Sequence, residues 1–417
     1  MSYSAISLIF LVTAIVLGFV KKINVGIASM GLAFILGLLG NVKTGVILGG
    51  FPSKLFLTLL GTMFLFCLLQ ENKTLELMSK KMVTKVGGRT FLIPIIIYVV
   101  SFVMSAAGPG AISVQSVMVI FAVSLASEMK ASPILLGSMA ILGAVGGTTS
   151  PIALTGIIVS DLTAGMEIAN AADHVFYGVS AANVVCAVLM YVIFGGYKLK
   201  GSSSTSSEPL PKFNRGQLLC IAALVVLVVT VVIFRYDVGL VSFALSLVLL
   251  LCGVVNEKAA LKLVPWSVLI LICGVNVLMA VTKHLGGIEL LSRLLASLMT
   301  EGTAAPIMGL TAGLMSWFSS ANGVVFPTLI PAVPDIVAQV GGNVSSLEMI
   351  ISIVGGATVA GISPLSTGGS LVFASYARET DDDAALQSVF TKLFLVSFGA
   401  VLVIVVLALL CAFKFFC

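Results

Sequence analysis

Four short stretches of this 417-residue chain carry the residue types that could do chemistry: 105–110 (SAAGPG), 146–151 (GGTTSP), 319–323 (SSANG) and 360–369 (AGISPLSTGG). Each lies inside a long apolar segment, and none holds a Lys, Arg, Asp, Glu or His. Glycine permits tight turns. Pro109, Pro151 and Pro364 suit the first turn of a new helix, where no backbone donor is lost. Ser150 and Ser363 each precede such a proline, where an N-cap belongs. Each stretch therefore reads as a break that starts a half-helix. The N-terminus of a helix carries roughly half a positive charge and free N–H groups. Several converging on one point would hold a small anion without any arginine. Ser105, Thr148, Thr149, Ser319, Ser320, Asn322, Ser366 and Thr367 are the candidate polar ligands. Their oxygens, with freed backbone carbonyls, are also hard donors suited to a small cation. The lack of charge in the breaks argues against proton coupling through a buried carboxylate.

The elements that must position these breaks are membrane helices. The chain is 59% hydrophobic and 9% charged, whereas soluble domains carry roughly a quarter charged residues. The apolar runs recur along its whole length, so lipid is the expected solvent and the net charge of +5 is no nucleic-acid signal. No basic stretch opens the chain ahead of its first apolar run, so no signal peptide is expected. The seven cysteines stand singly, without CxxC or Cys/His spacing, and are expected to behave as small apolar residues. No nucleophile–base–orienter set and no metal spacing is evident at membrane depth, so an enzyme is not expected. No GxxxxGK[ST] motif occurs, which argues against an ATP-driven pump.

The fold class expected is an all-α polytopic membrane protein. A spanning helix needs roughly 20 apolar residues. Candidates fall at 5–20, 25–39, 55–69, 133–160, 175–197, 217–234, 238–255, 264–281, 346–376 and 389–413. Two further segments, 90–127 and 304–338, have a Gly-rich break near the middle. Arms of about 15 residues would reach roughly 22 Å, short of the roughly 30 Å core. They read as re-entrant hairpins, although two full crossings would give the same parity. This threading puts sixteen of the 22 Lys and Arg on one side and six on the other. The positive-inside rule makes the first side cytoplasmic and both termini external. A multi-pass protein of the cell inner (plasma) membrane is expected.

The chain divides nearly in half at the linker 201–211 (GSSSTSSEPLP), into repeat 1 (1–200) and repeat 2 (212–417). Pro52 and Gly61 match Pro265 and Gly274 at an offset of 213, as do Glu76-Leu77 with Glu289-Leu290 and Ser150-Pro151 with Ser363-Pro364. The hairpin breaks align at 215, Ser101 and Ser105 with Ser316 and Ser320. Five spans per half is an odd number, so the second half is expected upside down, with broken helices near the midplane. That is a transporter architecture.

On these residues the chain resembles the divalent anion–sodium symporter family of the ion transporter superfamily, nearest its malonate/dicarboxylate carrier-like permeases. That family carries a Ser-Asn-Thr tip on each re-entrant hairpin, each followed by an unwound helix. Here Ser105-Ala106-Ala107 and Ser320-Ala321-Asn322 occupy the tips. The serines match, Asn322 stands where threonine is usual, and the first tip has no amide or further hydroxyl. GGTTSP and AGISPLSTGG occupy the unwound positions. The resemblance implies substrate contacts from Ser105, Ala107, Gly108, Thr149, Ser150, Ser320, Asn322, Gly323, Ser363, Pro364, Ser366 and Thr367. It implies sodium sites at Ser101, Ser105, Gly146, Gly147, Thr148, Ser316, Ser319, Ser320, Ala360 and Gly361. It also implies a homodimer working by an elevator motion, with sodium as coupling ion and no other cofactor.

The function expected is secondary transport of a small di- or monocarboxylate, such as a C3–C4 acid, driven by sodium. Alternatives are a cation/proton antiporter of the same superfamily, or a proton-coupled or exchanging carboxylate carrier. The expected partners are the carboxylate, sodium, the bilayer and a second copy of the chain, and no nucleic acid.

Overall fold

The computed structural model describes residues 2–21, 23–84, 90–166, 168–199, 211–234, 236–377, 380 and 382–417. Among these the chain is helical throughout, with no strand. The first half holds α1 (Tyr3–Lys21), α2 (Val25–Leu39), α3 (Thr44–Gly49), α4 (Ser53–Glu71), α5 (Thr74–Thr84), α6 (Ile93–Ala106), α7 (Gly110–Glu128), α8 (Pro133–Gly147), α9 (Leu154–Thr163) and α10 (Ala171–Ile193). The second holds α11 (Arg215–Phe234), α12 (Val238–Leu251), α13 (Glu257–Leu263), α14 (Trp266–His284), α15 (Gly287–Ala296) and α16 (Ala304–Phe318). It continues with α17 (Phe326–Leu329), α18 (Val333–Val340), α19 (Ser346–Val359), α20 (Thr367–Tyr376) and α21 (Asp383–Leu409). A π-helical turn, Ala321–Val325, follows α16, and a 3-10 turn, Ala360–Ile362, follows α19. Apart from Pro211, the linker expected at 201–211 lies outside the described residues.

Among the described residues, seven helical stretches are long and apolar enough to cross a membrane, and eight shorter apolar helices of 10–17 residues accompany them. The protein is a multi-pass membrane protein. Large aliphatic side chains face outward, among them Leu38, Ile193, Leu251 and Leu410, all more than 60% exposed. Lipid accepts such surface where water would not. By contrast, α8 is buried from Ile134 to Gly147 and α19 from Leu347 to Val359. These two helices form the protein's centre.

The segments 133–160 and 346–376, expected as single spans, are each interrupted. Residues 148–153 separate α8 from α9, and residues 360–366 separate α19 from α20. The first arms of the two hairpin segments, α6 and α16, are 14 and 15 residues long. At 1.5 Å per residue that is about 21–23 Å, as expected of re-entrant arms. The second arms are longer than expected. The helical run 110–127 has 18 residues and 321–340 has 20, close to a full span. No charge stops the first before Glu128 or interrupts the second before Asp335.

Helix starts repeat at the 213 offset because the capping residues do. Ser132 and Ser345 accept from the N–H of the third residue on, Leu135 and Glu348. Asn24 and Asp237 likewise cap α2 and α12. Contacts between the halves are reciprocal. Gly61 on α4 presses against the Gly239 carbonyl of α12, and Gly274 on α14 presses against the Gly26 carbonyl of α2. Adding 213 to 26 and 61 gives 239 and 274. Ser4 Oγ donates to Leu285 O at 3.0 Å, and Gln217 Nε2 donates to Asn72 O at 3.3 Å, which is the same exchange. A contact i–j answered by a contact between i+213 and j−213 is what a two-fold relation between halves requires.

The hairpin register differs from the 215 alignment. Ser105 Oγ donates to Ala144 O at 2.7 Å, and Ser316 Oγ donates to Ala357 O at 2.8 Å. The alanines are 213 apart, but the serines are 211 apart. Helix α16 also begins 211 residues after α6. Ser316 is thus the counterpart of Ser105, one helical turn away from the pairing of Ser101 with Ser316.

Candidate functional site

The site is built around the break between α8 and α9. Thr148 caps the end of α8, and Thr149 Oγ1 donates to Gly146 O at 2.6 Å. Ser150 O accepts from Ala153 N at 2.8 Å, and Ser363 O accepts from Ser366 N at 2.9 Å. These are matching turns with Pro151 and Pro364 at their second position, where the fixed φ of proline fits. The helices begin only at Leu154 and Thr367, so Ser150 and Ser363 are turn residues and not the N-caps that their place before proline suggested. Ser363 Oγ instead accepts from Leu365 N at 3.3 Å.

Just beyond each turn a glycine closes over it. A side chain at Gly156 would overlap the Ser150 carbonyl, and one at Gly369 would overlap the Ser363 carbonyl. The motif S-P-x4-G, at 150–156 and again at 363–369, carries this geometry, and its recurrence at 213 is the signal that could have found Gly156.

The first hairpin tip lies on this break. Gly108 has φ +135°, a conformation L side chains rarely adopt, and packs against the ring of Phe66. A Cβ at Gly110 would stand 3.0 Å from Leu154 Cβ and 3.4 Å from Thr148 Oγ1. Ala107 caps the end of α6. Ser105 is buried and its hydroxyl is committed to the α8 carbonyl noted above. Gly147 lets α6 approach, for a side chain there would overlap the Phe102 carbonyl, and Gly146 faces the Phe102 ring and Asn183. Ser101 stands against Gly143, one turn earlier on α8, and its buried Oγ has no partner among the described residues.

The second tip reaches the same break from the other half. Ser320 Oγ caps the π-turn by accepting from Gly323 N at 3.1 Å, and Ser319 Oγ donates to Met315 O at 2.7 Å. Gly323 is buried against Leu271 of α14. Asn322, half-buried, accepts at Oδ1 from Thr155 Oγ1 at 2.9 Å, and Thr155 Oγ1 lies 3.4 Å from Thr148 Oγ1. Thr155, fully buried in the first turn of α9, is absent from the residues expected of the site.

The second break joins through α8, with Gly361 facing Val145. Ser366 Oγ donates to the carbonyls of Gly361 and Ser363, Ala360 opens the 3-10 turn, Pro364 lies in the Ser363–Ser366 turn, and Thr367 is exposed. Ala360 O also accepts from Ser397 Oγ of α21. The first break therefore touches both hairpin tips, and the second break lies beside the helix that leads into it. Ser316, bonded to Ala357, sits back from the second tip as a helix-crossing residue.

A polytopic helical bundle with paired breaks at its buried centre defines the class as a membrane transporter fold. Residues 1–148 match the family described as "Dicarboxylate carrier protein MatC N-terminus". This is the branch that the tips and unwound segments resemble. The crystal structure of the YdaH transporter of Alcanivorax borkumensis, described as revealing an unusual topology, matches with a TM-score of 0.61. The match covers 90% of this chain and 88% of that one at 15% identity, a likeness of fold. No curated protein sequence matches the chain.

Proposed function

We propose that the chain is a secondary carrier of a small di- or monocarboxylate, such as a C3–C4 acid, coupled to sodium. The observation that carries this reading is the meeting of uncharged breaks from both halves around α8, with Thr155 of one half bonded to Asn322 of the other. Half-helix N-termini at α7, α9 and α20, with the Asn322 amide, offer N–H donors and partial positive charge to a carboxylate. The match of residues 1–148 to a dicarboxylate carrier family favours that substrate class.

Sodium fits the remaining donors. The hydroxyls of Thr148, Ser319 and Ser320 and the carbonyls of Gly146, Gly147, Ala360 and Gly361 are hard oxygens, which suit a hard cation. The buried Ser101 Oγ one turn away, without a hydrogen-bond partner among the described residues, is a further hard oxygen. In this proposal the halves are inverted repeats, both termini are external, and a homodimer moves the site across the inner membrane by an elevator motion.

The test is the thermal stability of the purified protein across mono-, di- and tricarboxylates, each with sodium or choline. A ligand bound to the folded state raises its apparent stability. A carboxylate shift that needs sodium is expected. A shift indifferent to sodium would keep the anion site and move the coupling to protons or exchange. No shift with any acid would overturn the proposal in favour of a cation antiporter.

A further inference from the structure

Thr155 makes the bond that joins the first break to the second hairpin tip, and its place is unusually well determined. Its own N–H and that of Gly156 both donate to Thr148 O, at 3.0 and 3.2 Å. The side chain is thus held by the break itself, fully buried, with its hydroxyl 2.9 Å from Asn322 Oδ1. An asparagine amide has an acceptor end and a donor end. A hydroxyl that donates to Oδ1 turns the acceptor toward α9 and leaves Nδ2 pointing away from it. No described residue takes that Nδ2, and Asn322 is only half-buried.

We propose that Thr155 is a positioning residue that sets which end of Asn322 meets the ligand. With Oδ1 engaged, Asn322 presents N–H donors, which match an anion. Without Thr155 the amide can turn over and present its carbonyl oxygen, which repels a carboxylate. A tip with one amide and no arginine depends on this orientation for the sign of charge it accepts. The inference rests on the carboxylate-carrier reading.

The experiment measures the malonate concentration that half-saturates the thermal shift, in sodium. It compares wild type, Thr155→Val, Thr155→Ser, Asn322→Ala and the double variant that combines Thr155→Val with Asn322→Ala. One lost hydrogen bond to a charged ligand predicts about a tenfold weakening in Thr155→Val. Thr155→Ser retains wild-type affinity, because the hydroxyl remains, which a purely steric role would not require. In the Asn322→Ala background Thr155→Val has no further effect. Should Thr155→Val fail to fold, Asn322→Asp serves, since a carboxylate offers no donor and must abolish the malonate shift. Wild-type affinity in Thr155→Val, additive losses in the double variant, or binding preserved in Asn322→Asp would overturn the role of Thr155. If no carboxylate shifts the wild-type protein, the carrier reading falls first and takes this inference with it.

Discussion

Ser105 and Ser316 make the same bond in the two halves, each donating its hydroxyl to a carbonyl in the last turn of a buried neighbouring helix, Ala144 and Ala357. The bonds fix the crossing of α6 on α8 and of α16 on α19. They take the one proton of each hydroxyl, so neither serine has an O–H left for a ligand, while the oxygen lone pairs stay available.

Replacing either serine by alanine should therefore cost a similar amount, about 1 kcal/mol, by removing one buried donor. Thermal unfolding of Ser105→Ala and Ser316→Ala in detergent measures this. A drop for Ser105→Ala with none for Ser316→Ala would show that the pairing is not equivalent.

The reciprocal glycine crossings should be intolerant of bulk. Gly61→Leu and Gly274→Leu drive a side chain into a backbone carbonyl of the partner helix. Each is expected to lower stability by about 3 kcal/mol, the upper range for overpacking. Gly31 on α2 is exposed and a Cβ there meets nothing within 4 Å, so Gly31→Leu should stay within about 0.5 kcal/mol of wild type. Equal melting temperatures for Gly31→Leu and Gly274→Leu would contradict the close crossing.

Gly156→Ala and Gly369→Ala should damage ligand binding. A methyl at either site overlaps the carbonyl of the preceding Ser-Pro turn, so the turn must open and displace the break. The expected result is loss of any carboxylate-induced shift with a folded, helical protein by circular dichroism. Retention of the full shift in both variants would mean the turns can give without moving the site.

Pro151→Ala and Pro364→Ala should act mildly and alike. Proline at the second position of a turn mainly restricts the unfolded chain, worth about 0.4–1 kcal/mol. Had these prolines opened helices directly, helix starts would move with them. Thermal unfolding together with the ligand shift separates the two roles, since only the first predicts unchanged binding.

The local devices were legible in the sequence because each is written in a few adjacent residues. The charge-free breaks, the Ser-Pro pairs and the 213 offset needed no tertiary information. Apolar runs in a chain with 9% charge required a membrane fold in the same way.

Tertiary packing decided the rest. Ser101 and Ser105 are four residues apart, as are Ser316 and Ser320, so motif similarity alone cannot separate two alignments one helical turn apart. Only the carbonyl that each hydroxyl reaches selects the register. Whether Pro151 opens a helix or a turn depended on Gly156 closing over the Ser150 carbonyl, a contact with no signature in the proline itself. The bond between Thr155 and Asn322 spans 167 residues and two halves of the chain. Sequence determined which segments are apolar, uncharged and breakable; the approach of helices at glycines, which no local pattern encodes, determined which breaks meet.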